Sequence, residues 1–128
     1  MRKHTLAVLV TGLLAVSCGG QASAPPAARP AGGSPEQGKK LVGEKGCIAC
    51  HTINQIPEAR GAVGPQLDGV GDAQNRPKIA GGVLANTPDN LRKWLSDPPA
   101  AKPGTLMPNL SLSPQEIEHL VAFLQTLK

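Results

Sequence analysis

The chain has no tyrosine, one tryptophan and one phenylalanine among its 128 residues. From about Pro35 onward, roughly 94 positions must build a core with Trp94 and Phe123 as their only aromatic residues. A small domain so poor in large apolar side chains usually needs a disulfide, a metal or a cofactor. Long apolar runs are also missing. The stretch from Leu6 to Val16 falls short of the roughly 20 residues that a membrane-spanning helix requires. No stretch alternates polar and apolar residues convincingly, so no strand is predicted. The formal charge is +4, but the basic residues do not cluster into a face, which argues against nucleic-acid binding. Lys39-Lys40 and Arg92-Lys93 read as solvated helix positions.

What is present is concentrated in Cys47-Ile48-Ala49-Cys50-His51. C-x-x-C-H is the attachment signature of a c-type haem. Each thiol can form a thioether to one haem vinyl group, and the adjoining His51 is then held beneath the iron as an axial ligand. C-x-x-C without the histidine also serves thiol redox sites and zinc ribbons. Those chemistries need a βαβ context or two further ligands at suitable spacing, and neither is found. Haem is the expected cofactor, and it would supply the missing apolar mass.

The N-terminus reads as an export signal. Met1-Arg2-Lys3-His4 is basic, and the short apolar run after it suits a secretory leader. Leu14-Ala15-Val16-Ser17-Cys18 resembles a bacterial lipobox, with Ala15 where leucine is commoner. The alternatives are a conventional leader beside a stray cysteine, and an uncleaved anchor. With Cys47 and Cys50 on haem, Cys18 would be an odd thiol in an oxidising compartment, and acylation gives it a role. Residues 1–17 are therefore expected to be a lipoprotein-type signal peptide. Its removal takes Arg2 and Lys3 away, leaving 11 basic against 9 acidic residues and a formal charge of +2. Residues 18–34, a lipidated Cys18 and a Gly/Ala/Pro-rich stretch without an apolar face, are expected to form a disordered tether. The domain proper is placed at residues 35–128.

Three helices are predicted in it. Ser34-Pro35-Glu36-Gln37 offers a serine N-cap, a first-turn proline and a capping box through Gln37. That helix should run to about Lys45 and stop at Gly46. Thr87-Pro88 starts a second, carrying Leu91, Trp94 and Leu95 and ending before Pro98-Pro99. Ser113-Pro114 starts a third, with Ile117, Leu120, Val121, Leu124 and Leu127 at helical spacing. In that helix His119 should face solvent, away from the apolar stripe.

An iron held by His51 leaves a sixth position. His4 and Met1 leave with the leader, and His119 points outward, so Met107 is the remaining candidate. A lone methionine is otherwise a core gap-filler. Here prolines 98, 99, 103 and 108 stiffen the loop, and Pro108 biases Met107 toward an extended conformation. His/Met ligation fills both axial sites, which favours electron transfer over reaction with oxygen or peroxide.

Several motifs in order now resemble a class I cytochrome c: Cys47-x-x-Cys50-His51, Gly64-Pro65-x-Leu67, Trp94-Leu95-Ser96-Asp97-Pro98 and Pro103-Gly104-Thr105-x-Met107-Pro108. The resemblance covers nearly all of residues 35–128. Gly64-Pro65-Gln66-Leu67, Ile79-Ala80-Gly81-Gly82, Asn86-Thr87-Pro88 and Lys102-Pro103-Gly104 are similar to the cytochrome c domain fused to subunit II of some bacterial cytochrome c oxidases. No copper-binding portion precedes it here, so the chain would be a stand-alone, lipid-tethered version.

The resemblance implies an all-α fold of about three to five short helices wrapped around one covalent haem c. It implies that the Pro65 carbonyl accepts the Nδ1 proton of His51, and that Trp94 borders the haem near the methionine. Gly38 would let the first and last helices cross closely, against Leu120 and Phe123 or Leu124. Val42 stands where the family often has an aromatic residue.

The function implied is a monomeric one-electron carrier, not an enzyme, on the outer side of a bacterial membrane. Its partners would be redox proteins such as a quinol-oxidising complex and a terminal oxidase. A docking face is expected around Ala49 and the loop Lys102 to Leu106, with lysines steering an acidic partner. The alternative is a haem enzyme or sensor subunit in which Met107 is displaceable.

Overall fold

The computed structural model describes residues 32–128. The leader, Cys18 and most of the expected tether lie outside the described residues. Four α-helices follow in order: α1 (Pro35–Glu44), α2 (Pro88–Ser96), α3 (Pro98–Ala101) and α4 (Pro114–Leu124). A 3₁₀ turn at Cys47–Ala49 and a two-stranded hairpin, β1 (Lys78–Ile79) and β2 (Leu84–Ala85), lie between α1 and α2. α1 crosses α4, and α2 also lies against α4. Leu41, Val42, Leu91, Leu95, Leu120, Val121, Phe123 and Leu124 from the three helices join one core with loop residues Ile53 and Val70.

Each long helix opens with a hydroxyl cap and a proline in its first turn, where the missing N–H costs nothing. α1 ends as expected, and Gly46 follows at φ +74°, a left-handed conformation that glycine adopts without steric cost. The capping box is a different matter. Ser34 Oγ accepts from Gln37 N at 3.3 Å, but no bond returns from the Gln37 side chain. The Ser34 N–H goes instead to His119 Nδ1 at 2.8 Å. A complete box closes α4, where Ser113 N donates to Glu116 Oε2 and Glu116 N to Ser113 Oγ.

His119 is accordingly half-buried beneath the chain entering α1, not solvent-facing. A Cβ on Gly33 would stand 1.9 Å from Glu118 O. Gly33 and Ser34, expected to belong to the tether, are thus packed on α4. At the helix crossing, a Cβ on Gly38 would meet His119 O at 2.0 Å and Phe123 Cβ at 2.6 Å. The close approach expected there is present, made to His119 and Phe123.

Three further expectations are corrected. Pro98-Pro99 ends α2 but also starts α3, capped by Asp97, whose side chain accepts from Ala100 N at 3.2 Å. Two strands exist where none was predicted. They pair antiparallel, Lys78 with Ala85 and Ile79 with Leu84, and two residues are too few to show alternation. Arg92 is not a solvated helix position. It grips Glu118 of α4 with two bonds, Nε to Oε1 at 2.8 Å and Nη2 to Oε2 at 2.9 Å. Glu118 is only 6% exposed, and a buried carboxylate needs such a partner.

Candidate haem-binding site

The C-x-x-C-H segment is shaped by its own backbone. Cys50 N and His51 N both bond to Cys47 O, at 3.1 and 3.0 Å. A 3₁₀ turn has three residues per turn, so positions i and i+3 eclipse. Cys47 and Cys50 therefore sit on one side of the turn, and both thiols are free of any disulfide. Burial pushes the Cys47 thiol above its ordinary pKa. A redox-active C-x-x-C is marked by the opposite shift.

The loop at residues 60–67 clamps this turn. Gly64 N donates to Cys50 O at 2.8 Å and Leu67 N to Thr52 O at 2.9 Å. Two glycines permit the approach. A Cβ on Gly61 would lie 2.4 Å from Cys50 C, and one on Gly64 would lie 2.4 Å from His51 Cε1 and 2.7 Å from its Nδ1. Gly64 thus lies directly against the imidazole. His51 Nδ1 is 2.7 Å from Pro65 O. A carbonyl can only accept, so Nδ1 carries the proton and Nε2 keeps the lone pair that a metal needs.

Met107 reaches the same cavity from the other side of the sequence. Thr105 N bonds back to Lys102 O at 3.2 Å, with Pro103 and Gly104 between them. Gly104 has φ +80°, so Pro-Gly fills the two central positions of a type II turn, which requires positive φ at the second. Met107 N then caps onto Thr105 Oγ1 at 3.3 Å.

Between these parts lies a cavity of ≈ 570 Å³, within the range of about 300–1,000 Å³ typical of cofactor sites. Cys47, Cys50, His51, Gly64, Pro65, Trp94 and Met107 all line it. Ile79, Leu91, Leu95, Leu120 and Leu124 supply its apolar wall. Every site residue expected from the sequence within the described residues is brought to one cavity. Cys47, Cys50 and His51 present two thiols and one imidazole to the cavity, the donor set of covalent haem attachment. The glycine against the imidazole, the carbonyl-fixed tautomer and the paired thiols all fit a covalent haem. Gly61 and the cationic wall residues Arg76 and Lys78 were missed. Gly61 carries no motif, and its importance follows only from the loop that folds over Cys50.

Fold and site together define a covalent haem-binding domain. The sequence matches the Cytochrome c family over residues 35–128, and the chain belongs to that family. It is 40% identical over 92 residues to cytochrome c2 of Agrobacterium tumefaciens, covering 62% of this chain and 81% of the relative. To cytochrome c2 of Rhodopila globiformis it is 36% identical over 117 residues, covering 83% and 99%. Cytochrome c oxidase subunit 2 of Bacillus sp. PS3 is 36% identical over 93 residues, 70% of this chain. The chain spans only about a quarter of the length of the subunit 2 relatives. Among solved structures, SoxXA from P. pantotrophus matches with a TM-score of 0.58 and 29% identity over 77% of this chain and 85% of that one. Membership assigns haem c as the cofactor, attached through Cys47 and Cys50, and electron carriage as the general role.

Proposed function

We propose that this chain is a mono-haem electron carrier whose iron is held by His51 and Met107. It is tethered through acylated Cys18 to the extracytoplasmic face of a bacterial membrane. Its place is in a respiratory chain, between a quinol-oxidising complex and a terminal oxidase. The observation that carries the ligand assignment is the shared cavity: His51, its tautomer set by Pro65 O at 2.7 Å, and Met107, presented by a Pro-Gly turn. When bound, the haem supplies a one-electron couple. Cys47 and Cys50 would hold it, and His51 and Met107 would supply the two protein ligands to its iron. An iron so ligated would keep no open site for substrate, which would separate a carrier from a haem enzyme.

The respiratory placement is supported by the likeness to subunit 2 of cytochrome c oxidase. The docking face is supported by exposure around the cavity mouth, where Leu106 is 82% and Val63 65% exposed. The anchor rests on the Leu14–Cys18 pattern alone. Three measurements test the haem, its iron ligands and the anchor. An intact mass of the mature protein should show one haem and an N-terminal acylated Cys18. The oxidised protein should show the long-wavelength band of a methionine-ligated ferric haem, and the reduced protein should not take up carbon monoxide. Ready carbon monoxide uptake without that band would make Met107 a displaceable ligand and the chain a sensor or enzyme subunit.

A further inference from the structure

His51 and Pro65 belong to two segments, 50–54 and 64–68, that run side by side and are tied at successive rungs. Gly64 N donates to Cys50 O at 2.8 Å, and Leu67 N to Thr52 O at 2.9 Å. The contact between His51 Nδ1 and Pro65 O, 2.7 Å long, falls between these two rungs. The third rung uses no backbone carbonyl. Asn54 N donates to the Asp68 side chain, at 3.2 Å to Oδ1 and 3.0 Å to Oδ2.

The same carboxylate takes a donor from its own segment, Gln66 Nε2 at 2.9 Å from Oδ2. Its backbone is held as well, since Arg76 Nη1 donates to Gln66 O at 2.7 Å and to Asp68 O at 3.1 Å. Asp68 thus joins three stretches of chain: the one that follows His51, the one that carries Pro65, and the one that leads into β1. Burial pushes its carboxyl up, but the donors from Gln66 and Asn54 outweigh that and hold it below its ordinary value of 3.8. The group is therefore an anion at neutral pH, and hydrogen bonds to an ion are roughly twice as strong as neutral ones. Asp68 lies in no helix and is no part of the apolar core. Asp72 is the contrasting case: it accepts from Gln74 N, Asn75 N and Asn75 Nδ2, bonds that stay within its own turn.

We infer that Asp68 is a positioning residue for the axial histidine. Its carboxylate staples the segment after His51 to the segment of Pro65, and so keeps the Pro65 carbonyl in line with Nδ1. The outer hydrogen bond of a ligating histidine orients the ring and raises its basicity. Asp68 acts on that bond through the loop, without touching the imidazole. The inference rests on His51 as an iron ligand, the reading proposed above.

The test uses the haem-loaded, reduced full chain with nitrogen-15-labelled histidine, read by NMR. In the parent, the His51 ring resonances should carry the large porphyrin ring-current shifts of an axial ligand, and its Nδ1 proton should exchange slowly with solvent. In D68A that exchange should be faster by about tenfold or more, as the loss of hydrogen bonds to an ionised acceptor implies. D68N keeps an acceptor and loses only the charge, so its rate should fall between the two. D72A, which removes a carboxylate confined to its own turn, should leave the His51 proton at the parent rate whatever it does to stability. A D68A rate equal to the parent's, or a D72A rate as fast as that of D68A, would overturn the inference. If D68A fails to take up haem, D68N decides, and a rate there equal to the parent's overturns it in the same way. Parent ring resonances without the porphyrin shifts would instead remove His51 from the iron, and with it the proposed ligation.

Discussion

α1 contains two glycines in very different surroundings, and exchanging each for alanine separates helix propensity from helix crossing. At Gly43 a Cβ meets nothing within 4 Å. Gly43→Ala should therefore gain only the helix preference of alanine over glycine, about 0.5–1 kcal/mol. At Gly38 the same methyl group lands 2.0 Å from His119 O and 2.6 Å from Phe123 Cβ. A backbone oxygen inside α4 cannot rotate aside as a side chain can, so α1 and α4 must part by about 1 Å. Overpacking of this kind typically costs about 1–3 kcal/mol, and a backbone obstacle places it near the top of that range. The separation also thins the contacts of Val42, Leu120 and Phe123, which are 1%, 2% and 3% exposed. A gap of that size forfeits a quarter to a half of each dispersion well. After the propensity gain is subtracted, Gly38→Ala should be about 1–2 kcal/mol less stable than the parent. The two variants should then differ by about 2–3 kcal/mol. Denaturant unfolding of the haem-loaded protein reads this directly, with equal slopes for all three proteins. A Gly38→Ala protein as stable as Gly43→Ala would refute the claim that α1 and α4 touch at Gly38.

Other outcomes follow from the same contacts. Gly64→Ala puts a methyl group into the His51 ring; it should break the bond to Pro65 O and lower the midpoint potential, read by spectroelectrochemical titration. Arg92→Leu should cost roughly 2–4 kcal/mol in denaturant unfolding by removing the bidentate partner of buried Glu118, whereas Arg92→Leu with Glu118→Leu should recover much of that loss. The Lys45 ammonium, and then the Ser113 N–H, hold Glu116 down at a pKa of about 2, below its ordinary value of 4.5. That stabilisation is complete above about pH 4.5 and is lost as pH falls toward 2, so acid unfolding of Glu116→Gln should show a shallower pH dependence across that window. Met107→Ala should abolish the long-wavelength ferric band and open the iron to carbon monoxide, seen as a shifted absorption maximum of the reduced protein.

The features legible in the sequence are those whose cause is local. Hydroxyl-proline starts set the three long helices, because a cap and a first-turn proline act within four residues. Cys47 opens a 3₁₀ turn that Cys50 and His51 directly follow. Pro103-Gly104 specifies its own turn, and Met107 stood out by elimination. What stayed hidden has its cause across the chain. Nothing near Ser34 says that its N–H will find His119 at a separation of 85 residues, so the incomplete capping box could not be told from a complete one. Arg92 looks solvated until Glu118 arrives from α4, 26 residues on. Lys102 reads as a surface charge until the hairpin tip at Gly81 is laid beneath it. The same logic explains why the site was more legible than the fold around it. Covalent attachment demands fixed residue types at fixed short spacing. The rest of the cavity wall has no such requirement, and its residues can come from any loop or helix the topology brings close. The motifs of this chain are therefore legible in its sequence, while contacts such as Gly81 with Lys102 and Ser34 with His119 emerge only in the folded arrangement.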